Sequence, residues 1–349
     1  MYQDSNFYLD ADSNFSIKLK GHQPFSILQL TDLHLGFGPF SKKADGLALQ
    51  AVSTLIKRAA PSLIILTGDS IFPFWPRSGT LDNKLQAKKL TDFLDTFEIP
   101  YAFVFGNHDV EMGAKASKQE IAQLLMQGNY SIFSCGPAQL NGVGNYIIKL
   151  VNEENVPLCA LVMLDSGMYG DGWFFSGFDC IHSCQTAWCS TALRSLKSQN
   201  PALTAFAFFH MPLAQYKTAY EQMKLGNKDV TYHFGSIGEP NDYFGISKND
   251  CDFFQTAEKD GILKGMFCGH DHYNTLSLTY HGIRLTYGMS VDYLGYSGIG
   301  KRYTQRGGTV LTIQSDGSFY IAPLPLTSVV STFVRGKKSS DSGNVKETS

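Results

Sequence analysis

Along the first third of the chain, short unbroken apolar runs alternate with longer stretches whose apolar residues recur every three or four positions. FSILQLT (25–31), SLIILT (62–67) and YAFVF (101–105) are of the first kind. Runs this short and continuous predict strands buried on both faces. Between them, residues 43–60 place Leu47, Val52, Leu55 and Ile56 at helical spacing and stop at Pro61. Residues 84–98 (KLQAKKLTDFLDTFE) predict a second amphipathic helix, closed by Pro100. This alternation predicts an α/β fold whose sheet is largely parallel, with helices outside and ligands gathered at the carboxyl ends of strands.

The second half uses the same vocabulary less regularly. Strands are expected at 145–151, 157–164, 202–209 and 264–268, and helices near 185–198 and 248–260. From 274 onward the pattern turns to strands at 274–280, 283–287, 309–314 and 318–322, with hairpin signals at His281-Gly282 and Asp316-Gly317. The Gly- and Tyr-rich segment 211–247 reads as a long loop of the kind that shapes specificity. No repeat or low-complexity linker interrupts the chain. Residues 1–334 are therefore expected to form one domain with two sheets, followed by a disordered polar tail at 335–349.

Composition narrows the partners. Among 349 residues, 29 Lys and Arg against 31 Asp and Glu leave a net charge of −2. That balance gives no drive toward nucleic acid or an anionic membrane. No stretch reaches the roughly 18–20 apolar residues of a membrane span, and the N-terminus lacks the basic start and apolar run of a secretory signal. Seven cysteines argue against a disulfide scaffold and favour a reducing, cytoplasmic setting. Cys180, Cys184 and Cys189 lie close together around His182, but not at a common zinc spacing, so free, partly buried thiols are expected.

Five polar blocks follow apolar strands. Asp32-Leu33-His34 follows the first strand and puts a carboxylate and an imidazole on one side of an extended segment. Gly68-Asp69 ends the second strand. Gly106-Asn107-His108-Asp109 follows the third; this tetrapeptide arises by chance in roughly one chain in a thousand. His210 closes AFAFF, and Gly269-His270-Asp271-His272 follows GMFC. A lone aspartate of this kind is more often a turn or cap residue, and a lone histidine more often structural. The order of all five is the informative feature.

That order resembles the calcineurin-like metallophosphoesterase superfamily, whose members carry D-x-H, G-D, G-N-H-D/E, a single H and G-H-x-H in sequence. The segments LTGDSIF, FGNHD, LDSG, FFHMPL and CGHDH resemble single-domain relatives of purple acid phosphatases, the yeast dose-dependent cell-cycle regulator phosphatase type among them. The resemblance implies a four-layer α-β-β-α sandwich of two mixed sheets flanked by helices. It also implies two divalent or mixed-valence metal ions of Mn, Fe or Zn. Asp32, His34 and His272 would hold one metal and Asn107, His210 and His270 the other, with Asp69 bridging. Two like charges held close need a shared anion, and Asp69 is the carboxylate at the middle of the series.

The implied activity is hydrolysis of a phosphoester, most simply a phosphomonoester, by a hydroxide held between the metals. Asn107 and His108 would contact the phosphoryl group, and His108 would give a proton to the leaving group. A phosphodiesterase, acting on cyclic nucleotides, glycerophosphodiesters or nucleic acid, shares this chemistry, and a non-catalytic scaffold is a third reading. Purple acid phosphatases carry an iron-binding tyrosine three positions after the G-D aspartate; this chain has Phe72 there, so no tyrosinate–iron centre is expected. Asp109 could orient His108 or fix the turn, whereas Asp271 should point away from the site. Tyr169 and Trp173 are pocket-lining candidates. The run from Gly295 to Lys301 lacks the Ser or Thr of a P-loop, but Lys301, Arg302 or Arg306 could meet the substrate phosphate from it.

Overall fold

The computed structural model describes residues 7–326 apart from 11–13, 20, 22, 171–176, 250, 297–298 and 300–305. Trp173, Lys301, Arg302 and the tail at 335–349 thus lie outside the described residues.

The three apolar runs form β3 (Phe25–Leu30), β4 (Leu63–Thr67) and β5 (Tyr101–Val104), paired in parallel. The antiparallel strands β13 (Gly307–Ile313) and β14 (Phe319–Pro325) extend them to a five-stranded sheet of order β14-β13-β3-β4-β5. The second sheet has nine strands. Its centre is β6 (Tyr146–Val151), β7 (Pro157–Met163), β8 (Thr204–Phe208), β10 (Leu263–Cys268) and β12 (Ile283–Tyr287). The flanks are β1 (Phe7–Leu9) with β2 (Phe15–Lys18) on one side, and β11 (Ser277–Tyr280) with β9 (Val230–Phe234) on the other. Both sheets mix parallel and antiparallel pairs.

Side-chain alternation explains why the sheets stack. In β7, Leu161 and Met163 join one apolar core while Ala160 and Val162 join another. In β8, Phe206 and Phe208 divide from Ala205 and Ala207 in the same way. The first core fills the space between the sheets and continues to α1 (Lys42–Ala59), α3 (Asn83–Asp95) and α4 (Lys118–Leu125). The second lies under α5 (Ser183–Gln199), α6 (Ala214–Lys224) and α7 (Phe253–Asp260). The result is helix, sheet, sheet, helix, the four-layer arrangement expected. Among the described residues, the remaining α-helix, α2 (Trp75–Ser78), is a single turn. No helix among the described residues is long and apolar enough to cross a membrane.

The segment 211–247 departs from expectation. It is not one long loop, for it contains α6 and β9, and β9 pairs with β11 at the edge of the larger sheet. β9 escapes a hydrophobic reading because its middle residues Thr231, Tyr232 and His233 are exposed. The apolar positions of α6 are sparse, with Tyr216 and Ala219 its buried residues.

Candidate metal centre

Each polar block sits at a strand's carboxyl end, where the two sheets approach. β3, β4 and β5 deliver Asp32 with His34, Asp69, and Asn107 with His108; β8 and β10 deliver His210 and His270 with His272. An isolated parallel bridge between Thr31 and Ser290 ties the sheets together beside them. Asp32, His34, Asp69 and His270 all have positive φ, near 52°, 47°, 51° and 73°. Non-glycine residues adopt this conformation rarely and at a cost, and it clusters at functional turns. Two glycines make room for the turns. A Cβ on Gly68 (φ 88°) would lie 2.4 Å from His210 Nδ1, and one on Gly106 would lie 2.1 Å from Asp69 Oδ1.

Asp69 is central. Its Oδ2 lies 3.4 Å from His34 Nε2 and 3.2 Å from His210 Nε2, while Oδ1 accepts the backbone N–H of His108 at 2.8 Å. Two clusters of candidate ligand atoms share it: His34, Asp69 and His272 form one, and Asp69, His210 and His270 the other. Asp32 adjoins the first, with Oδ1 3.7 Å from His272 Nε2. Asn107 adjoins the second, with Oδ1 3.2 Å from His210 Nε2. His270 Nδ1 faces His210 Nε2 at 3.3 Å. His210 Nδ1 donates to the Thr67 carbonyl at 2.8 Å, which turns Nε2 into the cluster.

The donor set fits divalent cations. Asp32 Oδ2, Asp69 Oδ2 and both ring nitrogens of His34 are buried without a hydrogen-bond partner. Buried polar atoms and charges left so are costly, and shared cations would complete them. Imidazole, carboxylate and amide together suit Mn, Fe or Zn better than calcium.

Without metal, protons do part of that work. Burial would lower the His34 pKa, but Asp292, Asp69 and Asp32 overcome it and raise it to about 9. For His210, burial is again outweighed, chiefly by Asp69, and the pKa rises to about 10. Burial alone would raise Asp69, yet the surrounding imidazoles, His210 first, hold it well below the ordinary carboxylate range. Burial and the neighbouring His210 push His270 well below an ordinary histidine. The cluster is thus poised to exchange protons for cations.

Asp292 supplies a carboxylate that the motif reading missed. It is fully buried after β12, with Oδ1 3.7 Å from His34 Nδ1 and Oδ2 3.2 Å from His272 Nδ1. It also accepts the N–H groups of Leu294 and Gly295, each at 2.7 Å. Burial would raise its pKa, but His34, His272 and the amides hold it well below the ordinary range. In the sequence it stands alone among apolar and aromatic residues, twenty positions past His272; only the turn-rich stretch around it hinted at a strand end.

Asp109 fixes the turn. Its carboxylate accepts from the backbone of Gly106, Asp69, Ser70 and Ile71 at 2.7–3.1 Å. The His108 ring instead presents Nδ1 to Glu111 Oε1. Asp271 turns away, accepting from Gly245 N–H and, at 2.8 Å, from the Tyr287 hydroxyl. Tyr169 is brought to the site, its hydroxyl oxygen accepting from Asn107 Nδ2 at 3.3 Å. Phe72 packs edge-on to His34 and His108, with ring centroids 4.8 and 5.2 Å apart. Arg306 lies behind Asp292. It is buried, with Nε donating to the Asp292 carbonyl at 2.8 Å and its guanidinium 3.9 Å from the Tyr293 ring centre. These contacts tie Arg306 to the loop carrying Asp292. None of the seven cysteines forms a disulfide among the described residues.

Comparison with known proteins agrees with this geometry. The family model for calcineurin-like phosphoesterases matches residues 25–274. The chain is 25% identical over 318 residues to the Arabidopsis thaliana protein named "Probable inactive purple acid phosphatase 29", covering 83% of this chain and 76% of the relative. It is 29% identical over 271 residues to Phosphatase DCR2 of Saccharomyces cerevisiae, covering 73% of this chain but only 45% of that longer protein. In fold it is similar to a dimetal phosphatase from Danio rerio, with a TM-score of 0.54 and 11% identity over 86% of this chain and 96% of the other. The chain belongs to the calcineurin-like phosphoesterases.

Proposed function

We propose that this chain is a phosphomonoesterase that works with two divalent metals drawn from Mn, Fe and Zn. Asp32, His34 and His272 hold one, Asn107, His210 and His270 the other, and Asp69 lies between. The observation that carries the reading is the position of Asp69 Oδ2, 3.4 and 3.2 Å from imidazole nitrogens of the two clusters. When bound, the metal pair supplies the charge that activates water and polarises the phosphoryl group.

The chain's own residues orient and protonate. The Asn107 side chain lies between His210 and Tyr169, so its amide is fixed where the phosphoryl group must sit. His108 is the one motif histidine outside the two clusters and is partly exposed. With Nδ1 turned to Glu111, its Nε2 is left to give a proton to the leaving alkoxide as the phosphorus–oxygen bond breaks. Phe72 meets the His108 ring near-perpendicularly and adds an apolar wall that competes for neither ligand nor proton.

Preference for monoesters is supported by the phosphatase names of the relatives and by a balanced charge that favours no polyanion. Some relatives are named as probably inactive, but every motif position and His108 are retained here. The test is hydrolysis of p-nitrophenyl phosphate against bis-p-nitrophenyl phosphate by metal-stripped protein reconstituted with Mn, Fe(II) or Zn. Faster monoester turnover is expected. Faster diester turnover would transfer the assignment to phosphodiesters, and no turnover with two metals bound would make the chain a scaffold.

A further inference from the structure

We infer that Glu111 is a positioning residue for leaving-group protonation, holding the His108 ring with Nδ1–H toward its carboxylate and Nε2 toward the substrate. The inference rests on the proposed role of His108 and goes beyond it, because no motif reading assigns Glu111.

Three observations converge. First, Glu111 Oε1 faces His108 Nδ1 across a single turn, and the two side chains are only 16% and 22% exposed. Second, the neighbouring carboxylates have other partners. Asp109 accepts four backbone N–H groups, and Asp69 takes the His108 backbone N–H rather than its ring. Third, both ends of the pair are anchored. The His108 backbone is tied to Asp69 at 2.8 Å, its ring meets His34 and Phe72 edge-on, and the Glu111 carbonyl accepts from Ala114 at 2.9 Å. A histidine donating Nδ1–H to a carboxylate is fixed in both tautomer and rotation.

The chemistry balances. Water supplies the oxygen that bonds to phosphorus and releases one proton to solvent, while the phosphorus–oxygen bond to the alcohol breaks with its electron pair on the alcohol oxygen. The doubly protonated His108 ring gives its Nε2 proton to that oxygen and is left as the neutral Nδ1–H tautomer facing Glu111, which solvent reprotonates at Nε2. Glu111 neither gains nor loses a proton; it keeps the donor aimed.

The experiment measures kcat/KM of the metal-loaded enzyme for aryl phosphates ranging from p-nitrophenyl to unsubstituted phenyl. A poor leaving group needs its proton; p-nitrophenolate scarcely does. Glu111→Ala is expected to cut phenyl phosphate turnover by about 10–100-fold, in the range for outer-shell partners, and p-nitrophenyl phosphate turnover far less. His108→Ala is expected to steepen the series further, by about 100–10,000-fold for phenyl phosphate. Both variants should retain two metals per chain. In zinc-loaded, 15N-histidine-labelled protein, the His108 Nδ1–H signal, assigned by its loss in His108→Ala, should vanish in Glu111→Ala. Should His108→Ala steepen the series while Glu111→Ala does not, the positioning role is overturned and the role of His108 stands. If neither steepens it, the His108 assignment falls and this inference with it. Loss of metal in Glu111→Ala would make the residue structural and overturn the proposal.

Discussion

Single side chains divide the labour here by what they touch. His108 lies outside both clusters, so His108→Ala should leave two metals per chain while lowering turnover of a poor leaving group by about 100–10,000-fold. Metal analysis alongside kinetics checks this, and unchanged activity would remove the histidine from the mechanism. Asp69 is the opposite case. Asp69→Asn substitutes a neutral amide for the oxygen shared by both clusters and should lose the metal pair, so two metals retained per chain would contradict a bridge. Asp292 touches no candidate metal position but stands behind two imidazoles. Asp292→Ala should weaken metal binding by about 10–100-fold, the usual cost of losing a carboxylate behind a histidine ligand. Competition with a chelator measures it, and wild-type affinity would reduce Asp292 to a loop cap.

At the scale of elements, the site depends on tight turns between strand and loop. Gly68→Ala adds a methyl 2.4 Å from His210 Nδ1 at a residue with φ of 88°. It should destabilise the fold by about 1–3 kcal/mol and displace His210, so denaturant unfolding and metal content should fall together. These turns were legible in the sequence because each follows an unmistakable apolar strand. β3, β4 and β5 emerged within a residue or two of the expected bounds, since strands buried on both faces carry an unbroken apolar signature. α4 did not emerge. Ile121, Ala122 and Leu125 do share its buried face, but eight residues are too few to stand out as a periodic stretch, and its clearest mark is a capping box from Ser117 to Glu120. β1 and β9 were hidden at the edges of the larger sheet, where burial is incomplete and alternation weak, and β2, one strand in and buried over Phe15–Ile17, is only four residues long. The same reasoning explains the site. Candidate ligands within motifs could be read, whereas Asp292, reached only when β12 aligns with β10, and Arg306, drawn beneath it, depend on tertiary placement.

At the scale of the whole molecule, two sheets and two cores converge on one buried charge cluster, so metal content, protonation and stability are linked. In the metal-free protein His34 and His210 titrate near 9 and 10, above the roughly 6.5 of an unfolded histidine. Groups raised in this way contribute stability that is fully present below about pH 6.5 and lost as pH rises through their folded values. The metal-free protein should therefore lose stability between about pH 6.5 and 10 on their account. Metal binding has the opposite slope. It must displace those protons, so it strengthens as they leave. Buried tyrosines and thiols such as Tyr146 and Cys189 also weaken the fold in alkali, because burial raises their pKa values, but they do so with or without metal. The difference in melting temperature between metal-loaded and metal-free protein cancels that shared contribution. At fixed free zinc this difference should widen from about pH 7 to 9, by the logic of ligand-linked stability. Calorimetric titration in buffers of different ionisation enthalpy should show net proton release on metal uptake near pH 7. A difference independent of pH, with no protons released, would mean that His34 and His210 do not face the metals.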